Sequence, residues 1–96
     1  MTGARLVELY EARRPGETAP AEKMREMQAD SYVDGVHDAT EGKGWCYSSK
    51  FRPKPITIQE HVIWDLRALP AEQLKRNAAE LIVELLRRRY PCGERS

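Results

Sequence analysis

The sequence predicts a small all-α domain, and three observations lead to that fold class. The chain has 96 residues, enough for one hydrophobic core, so we expect residues 1–96 to form a single domain. Prolines and glycines fall into three clusters that separate four segments with apolar residues at helical spacing. Strand signals are poor, because no hairpin dipeptide lies between alternating runs and β-branched residues are few. We therefore predict four helices, over residues 3–14, 20–40, 57–69 and 70–90.

The first two predicted helices have recognisable starts. Thr2 is a suitable N-cap for the first helix, and Pro20 suits the first turn of the second. A glycine in mid-helix costs about 1 kcal/mol relative to alanine, so Gly35 predicts a close crossing by another helix. The residues of the second helix that we expect to face the core are Met24, Met27, Gln28, Ser31, Tyr32, Gly35, Val36 and Ala39.

The last two predicted helices follow a loop over residues 45–56. The third helix has a capping-box signal, in which the Thr57 hydroxyl and the Glu60 carboxylate can cap each other's free backbone N–H groups. Pro70 opens the fourth helix, and Tyr90-Pro91-Cys92 ends it. The apolar stripe of the fourth helix consists of Leu74, Ala78, Leu81, Ile82 and Leu85.

Charge and hydropathy exclude two classes of partner. Sixteen Lys and Arg residues against fifteen Asp and Glu residues give a net charge of +1, which lacks the basicity that non-specific binding to nucleic acid or to an anionic membrane requires. The longest apolar runs, such as residues 62–64 and 81–83, are far shorter than the roughly 18 residues of a membrane span. We therefore expect no nucleic-acid partner and no membrane insertion.

The sequence predicts neither an enzyme nor a metal site. The best candidate nucleophile is Cys46, with His37 or His61 as its base, but no nucleophile signature surrounds it and no oxyanion-hole glycines follow a strand. Structural zinc sites take closely spaced pairs of ligands, and the two Cys and two His of this chain do not form such pairs. We therefore predict no catalytic residue, no cofactor and no metal ligand.

An acidic column runs along the second predicted helix, with one carboxylate every four residues. Two interpretations remain open: a solvated helix face, or a face for a basic partner in which Asp30 and Asp34 steer association. Four-residue steps drift around a helix, so Asp38 reaches the inward stripe and should be partly buried among hydrogen-bond donors. The members of the column are Glu22, Glu26, Asp30, Asp34 and Asp38.

The loop before the third helix is basic and aromatic, since residues 47–56 hold three bases and no acids. Aromatic residues and arginine are the types that anchor protein–protein interfaces. His61 and Asp65, one turn apart on a polar side of the third helix, can contact the same partner. Single-stranded nucleic acid is the weaker alternative, because the rest of the domain is neutral. The predicted partner-binding residues here are Tyr47, Lys50, Phe51, Arg52, His61 and Asp65.

The two cysteines, Cys46 and Cys92, each lie just outside a predicted helix end. An even number of cysteines in a small chain predicts one disulfide where the compartment is oxidising. No apolar leader follows Met1, so the residues alone leave two alternatives, a cytosolic protein or an exported protein without its leader.

Four motifs together resemble the Rap/Tai-type immunity proteins of type VI secretion. Those proteins share a helical Tyr-Ile-x-Gly-Val-x-Asp-Ala pattern, an aromatic-Cys pair, a Thr-x-x-Gln-like helix start and a closing aromatic-Pro-Cys. The similarity spans about residues 4–92, and its specificity lies in the order and spacing of the motifs. On the first pattern we assign structural roles to Tyr32, Gly35 and Asp38. The matching segments are residues 31–39, Trp45-Cys46, Thr57-Ile58-Gln59 and Tyr90-Pro91-Cys92.

The resemblance implies an all-α periplasmic protein that neutralises peptidoglycan amidase effectors delivered by competing or sister cells. It also implies an exported precursor whose signal peptide is not in this sequence, and hence a Cys46–Cys92 disulfide. We therefore predict an immunity protein that covers the Cys-His cleft of an amidase and performs no chemistry itself. The alternative is a periplasmic helical module with a structural or chaperone-like role and no toxin partner.

The sequence departs from the family at one pair of positions. Family members often carry a second cysteine pair that joins helices one and two, at positions that fall on about Tyr10 and Ala29. Both cysteines are missing together, and a large residue that faces a small one can fill the same space.

We also predict a two-fold homodimer. The core of a chain this short is small, and the family is often dimeric. Apolar residues such as Ile63, Trp64 and Val83 exceed what one buried face per helix can cover.

Overall fold

The computed structural model describes residues 1–47 and 54–92 and confirms the all-α prediction, since these ranges contain five helices and no strand. The Cys46–Cys92 disulfide is also confirmed, with the two sulfur atoms at bonding distance. Within the described residues, no helix has both the length and the apolar character needed to cross a membrane. The helices are α1 (Gly3–Leu9), α2 (Ala19–Thr40), α3 (Pro55–Arg67), α4 (Ala71–Leu74) and α5 (Ala78–Arg89).

The core forms where α5 meets α1, α2 and α3. Gly3 of α1 lies so close to α4 and α5 that an added Cβ would stand 2.6 Å from a methyl carbon of Leu81, and backbone hydrogen bonds tie residues 1–3 to residues 76–78. The largest fully buried side chain is that of Trp45, in the loop after α2. The aliphatic part of the core comes from all four longer helices, chiefly Leu6, Leu9, Val33, Ile58, Val62, Leu66, Leu81, Ile82 and Leu86.

Helix α1 starts as predicted but is shorter. The Thr2 hydroxyl accepts a hydrogen bond from the Arg5 N–H, as an N-cap does. The helix ends at Leu9 instead of residue 14, because the backbone carbonyls of Glu8 and Leu9 accept hydrogen bonds from the Arg25 guanidinium. A longer helix would need those carbonyls for its own N–H groups.

The buried side of α2 is not the predicted one. Its buried residues are Arg25, Ala29, Val33 and His37, whereas Met24 and Met27 are 71% and 54% exposed. Hydropathy misled the prediction, because the inward stripe contains a cation and an imidazole that are buried through their contacts. Val36 does pack against the core, as predicted.

The predicted close helix crossing at Gly35 and the predicted partial burial of Asp38 are not found, because both residues face outward. Among the described residues outside the nearby turns of α2, nothing lies within 4 Å of the position that a Cβ on Gly35 would take, so no described helix crosses closely there. Asp38 is exposed, because the inward stripe is rotated away from it. Tyr32, the third residue assigned a structural role, is partly buried and packs against the core.

Helix α3 starts two residues earlier than predicted. It begins at Pro55 with Lys54 as its N-cap residue, and no side chain caps it. The Thr57–Glu60 capping box therefore does not form, because Thr57 already lies inside the first turn. Pro55 instead supplies a fixed φ angle at a position where its missing N–H is not needed.

The predicted fourth helix is two helices. The short α4 ends at Leu74, and α5 starts after Asn77, whose side chain accepts a hydrogen bond from the Glu80 N–H. Arg76 bridges the break by pairing with Glu84 of α5. An asparagine without Gly or Pro beside it is a weak signal for a helix break. The apolar residues on both sides keep helical spacing, so the sequence predicted one continuous helix.

One buried arginine joins α1, the following loop and α2. The Arg25 guanidinium donates to the carbonyls of Glu11 and Ala12 as well as to those at the end of α1. It also forms a two-pronged pair with the Glu17 carboxylate, at 2.7 and 2.9 Å. The Arg25 hydrogen bonds, followed by one from the Arg14 backbone N–H, lower the pKa of Glu17 to about 2.

This lowered pKa predicts that the contribution of the Glu17–Arg25 pair to the stability of the fold is lost in acid. The ionised Glu17 stabilises the folded chain above its ordinary pKa of 4.5, and the contribution disappears as the pH falls towards about 2. We expect the urea midpoint of the native chain to fall more steeply over that range than the midpoint of Glu17→Gln. Glu72→Gln, which alters an exposed pair with Lys75, should keep the native slope. Equal slopes for the native chain and Glu17→Gln would contradict the role of this pair.

Candidate partner-binding surface

The Cys46–Cys92 disulfide links the loop after α2 covalently to the chain that follows α5. Besides the Cys46–Cys92 bond, the Cys46 N–H donates to the Tyr90 carbonyl at 2.9 Å. The loop itself turns tightly, with the Gly42 N–H donating to the Trp45 carbonyl at 2.7 Å. The Arg87 guanidinium of α5 reaches the Gly44 carbonyl at 3.2 Å. This region, the disulfide end, is therefore fixed by a covalent bond and by hydrogen bonds.

Trp45 is the buried centre of the disulfide end. Its indole N–H donates to the Thr40 hydroxyl at 2.8 Å, and that hydroxyl donates to the Val36 carbonyl at 2.6 Å. The rings of Tyr47 and Tyr90 pack against the indole, with centroids 5.2 and 6.1 Å from its own. Offset and edge-on aromatic contacts of this kind stabilise beyond the area they bury.

A row of aromatic rings leads from this centre to the surface. Tyr90 stacks on His61 of α3, and its hydroxyl lies 2.9 Å from the His61 Nδ1 atom. The His61 ring is next to Trp64, with centroids 5.8 Å apart. Trp64 is 56% exposed, and Ile56 at the start of α3 is 61% exposed. Exposed apolar side chains of this size on one helix are typical of a protein contact.

An ion pair borders the aromatic row. The Arg89 guanidinium of α5 binds both oxygens of the Asp65 carboxylate, at 2.7 and 2.9 Å. The Arg89 hydrogen bonds hold the pKa of Asp65 below its usual range. The pair is partly exposed, so it fixes α5 against α3 while leaving charge at the surface.

The structure brings together three of the predicted partner-binding residues. Tyr47 and Tyr90 both pack against Trp45, and Tyr90 stacks on His61. Asp65 follows His61 by one turn on α3. Lys50, Phe51 and Arg52 lie outside the described residues, in the segment that joins Tyr47 to α3. The sequence analysis did not identify Ile56 or Tyr90 as part of this surface, because the contacts of Tyr90 arise only when α5 packs against α3.

Asp30 and Asp34 lie at contacts between helices. The Tyr10 hydroxyl donates to the Asp30 carboxylate at 2.7 Å, and Gln59 of α3 donates to the Asp34 carboxylate at 2.8 Å. Burial of the phenol, followed by the Asp30 carboxylate, raises the pKa of Tyr10. Each of the two carboxylates therefore has a role inside the chain.

His37 is buried beside Trp45. Within the described part of the chain, neither of its ring nitrogens has a hydrogen-bond partner, although Nε2 lies 3.5 Å from the Asp34 carboxylate. Among the described residues, no three His, Cys, Asp or Glu side chains come together as a possible metal site.

Comparison with known protein families agrees with the motif-based resemblance. The model of the family described as Rap1a immunity proteins matches residues 2–92, which include every element of the disulfide end. No curated protein sequence matches the chain.

Proposed function

Because the chain belongs to the Rap1a immunity protein family, we propose that it neutralises a type VI peptidoglycan amidase in the periplasm by covering the active-site cleft. Family membership itself indicates immunity against a secreted effector, through binding rather than catalysis. The amidase as target, occlusion as mechanism, the periplasm as compartment and a homodimer as the active form are the further parts of this proposal.

The aromatic row at the disulfide end carries the proposal. Occlusion requires a rigid element with apolar anchors, and Trp64 and Ile56 are large, exposed and placed on one helix. The Tyr90 hydroxyl forms a hydrogen bond with the His61 ring, and the Arg89 guanidinium donates to the Asp65 carboxylate. These contacts fix the orientation of His61 and Asp65 on α3. A surface that is already ordered before it meets a partner loses less entropy on binding, so such support favours tight association.

In the sequence, the segment between Tyr47 and Lys54 connects the disulfide end to the first turn of α3. Its two ends are held by the Cys46–Cys92 disulfide and by the packing of α3. We propose that Phe51 and Arg52 enter the amidase cleft while Trp64 and Ile56 contact its rim. The same disulfide supports a location in the oxidising periplasm, since such bonds persist there.

Replacing Phe51 and Arg52 by alanine tests the contribution of this segment. If both residues are interface anchors, the double variant should bind its amidase more weakly by about 2 kcal/mol or more. The assay is cleavage of peptidoglycan fragments by the amidase whose gene neighbours the immunity gene. Glu72→Ala with Lys75→Ala, which truncates two exposed side chains of the α4 region that pair with each other, provides a control with the same number of truncated side chains. Full inhibition by the Phe51/Arg52 variant would remove the segment from the mechanism.

A further inference from the structure

Helix α2 has a second face that no other part of the described chain covers. The buried stripe of α2 consists of Arg25, Ala29, Val33 and His37. Because each residue of an α-helix adds a rotation of about 100°, Ser31 lies on the opposite side of the helix, about 180° from the midpoint of this stripe. The residues on this side are all exposed. We define the outer face of α2 as Met24, Met27, Gln28, Ser31, Gly35 and Asp38.

Two features of the outer face have no explanation within one chain. Met24 and Met27 expose more than half of their surface to water. Gly35 weakens the middle of the helix by its flexibility, yet no other described part of the chain approaches it closely. Both features are expected where a second helix packs, because methionine fills irregular gaps and glycine allows close approach.

We infer that the outer face of α2 packs against the same face of a second copy, antiparallel and with the two-fold axis near Ser31. This inference rests on the homodimer of the proposed function and assigns its interface. Of the residues that suggested a dimer from the sequence, Ile63 is buried in its own chain and Val83 packs against its own core. Trp64 is exposed and belongs to the surface proposed for the effector.

Side-chain size is complementary in the antiparallel arrangement. Met27 lies four residues before Ser31 and Gly35 lies four residues after it. A two-fold axis at Ser31 therefore sets the Met27 side chain of each copy against Gly35 of the other. The large side chain meets the open space that the glycine leaves, twice in each dimer.

Charge complementarity also favours the antiparallel orientation. The exposed Lys23 lies eight residues before Ser31, and the exposed Asp38 lies seven residues after it. Antiparallel packing therefore brings each Lys23 near Asp38 of the other copy. Parallel packing would instead place Asp38 of one copy beside Asp38 of the other, and like charges at such distances repel.

A second copy suits the outer face better than an effector does. The buried side of α2 faces α1, α3 and α5, so a dimer formed on the opposite side leaves the exposed part of α3 accessible. One dimer can then present two copies of the disulfide end. The interface and the effector surface are separate, so they can be tested separately.

The first test is the mass of the purified protein at micromolar concentration by light scattering. We expect twice the 11.0 kDa of one chain. Met27→Glu should give a monomer by introducing charge, and Gly35→Leu should do so by filling the space that Met27 needs. Ile56→Glu, which alters an equally exposed apolar residue of α3, should remain a dimer. A native monomer, or dimers of both α2 variants, would overturn the inference.

The second test places a cysteine on the two-fold axis. Ser31→Cys should form a covalent dimer when treated with a mild oxidant, because the two thiols lie opposite each other. Glu72→Cys, on the exposed α4, should give far less of this product. If Ser31→Cys cross-links no faster than Glu72→Cys, the register is wrong. Neither test contains an effector, so a failure here is distinct from a failure to inhibit an amidase.

Discussion

Replacing both cysteines by serine should lower the free energy of unfolding by about 4 kcal/mol. The bond closes a loop with a sequence separation of 46, and opening it restores that freedom to the unfolded chain. The expected loss is large because native domains of this size are stable by only about 5 to 15 kcal/mol. The disulfide end should lose the most order, since Tyr90 and Cys92 follow the last turn of α5.

Urea unfolding followed by far-ultraviolet circular dichroism measures this effect. The native protein in the presence of a dithiol reductant should give the same midpoint as the Cys46→Ser/Cys92→Ser variant. Ser31→Ala is a suitable control for a small polar change at an exposed position. A double variant within about 1 kcal/mol of the native chain would show that packing alone holds this end together.

Replacing Trp45 by alanine should destabilise the chain by about 3 to 5 kcal/mol, the range for removing a buried tryptophan. The side chain is fully buried and touches rings from three separate segments, those of His37, Tyr47 and Tyr90. Its removal leaves a cavity at the point where the aromatic row begins. It also deprives the Thr40 hydroxyl of its indole donor.

Trp45→Phe separates packing from hydrogen bonding in the same measurement. It keeps most of the ring and loses the indole N–H, so we expect a cost of about 1 to 2 kcal/mol. Trp64→Phe is the matched control. Trp64 is exposed, so this substitution should lower the free energy of unfolding less than either Trp45 variant. Equal effects at the two tryptophans would contradict the assignment of Trp45 as the centre of the disulfide end.

Local signals in the sequence predicted the start of α1 and the disulfide, but the predicted capping box at the start of α3 does not form. Thr2 caps α1 as expected, and the cysteine pair joins two helix ends as expected. Such features depend on neighbouring residues or on a known family pattern. The break before α5 was missed because Asn77, without Gly or Pro beside it, is a weak signal for a helix break.

The orientation of α2 was not predictable from hydropathy. Its inward stripe includes Arg25 and His37, and the burial of Arg25 depends on carbonyls from α1 and on Glu17 of the loop. Its outward side contains two methionines, Met24 and Met27, and the spacing of apolar residues alone predicts that they face the core. In the proposed dimer these methionines do make an apolar contact, but with a second copy instead of with their own chain.

The partner-binding surface was predictable only in part. The one-turn spacing of His61 and Asp65 indicated a shared side of α3. Their supports, Tyr90 and Arg89, come from α5 and depend on how two distant helices pack. The exposed position of Trp64 also depends on that packing, since the sequence is equally compatible with its burial.

The most direct test of the account is a calorimetric titration of the neighbouring-gene amidase with the native protein and with Trp64→Ala. The account predicts saturable binding of one chain per amidase, and an affinity at least tenfold lower for Trp64→Ala, a loss of about 1.4 kcal/mol or more. Glu72→Ala, which alters an exposed side chain of α4 outside both proposed interfaces, should bind like the native chain. No binding by the native protein, or equal binding by Trp64→Ala, would contradict it.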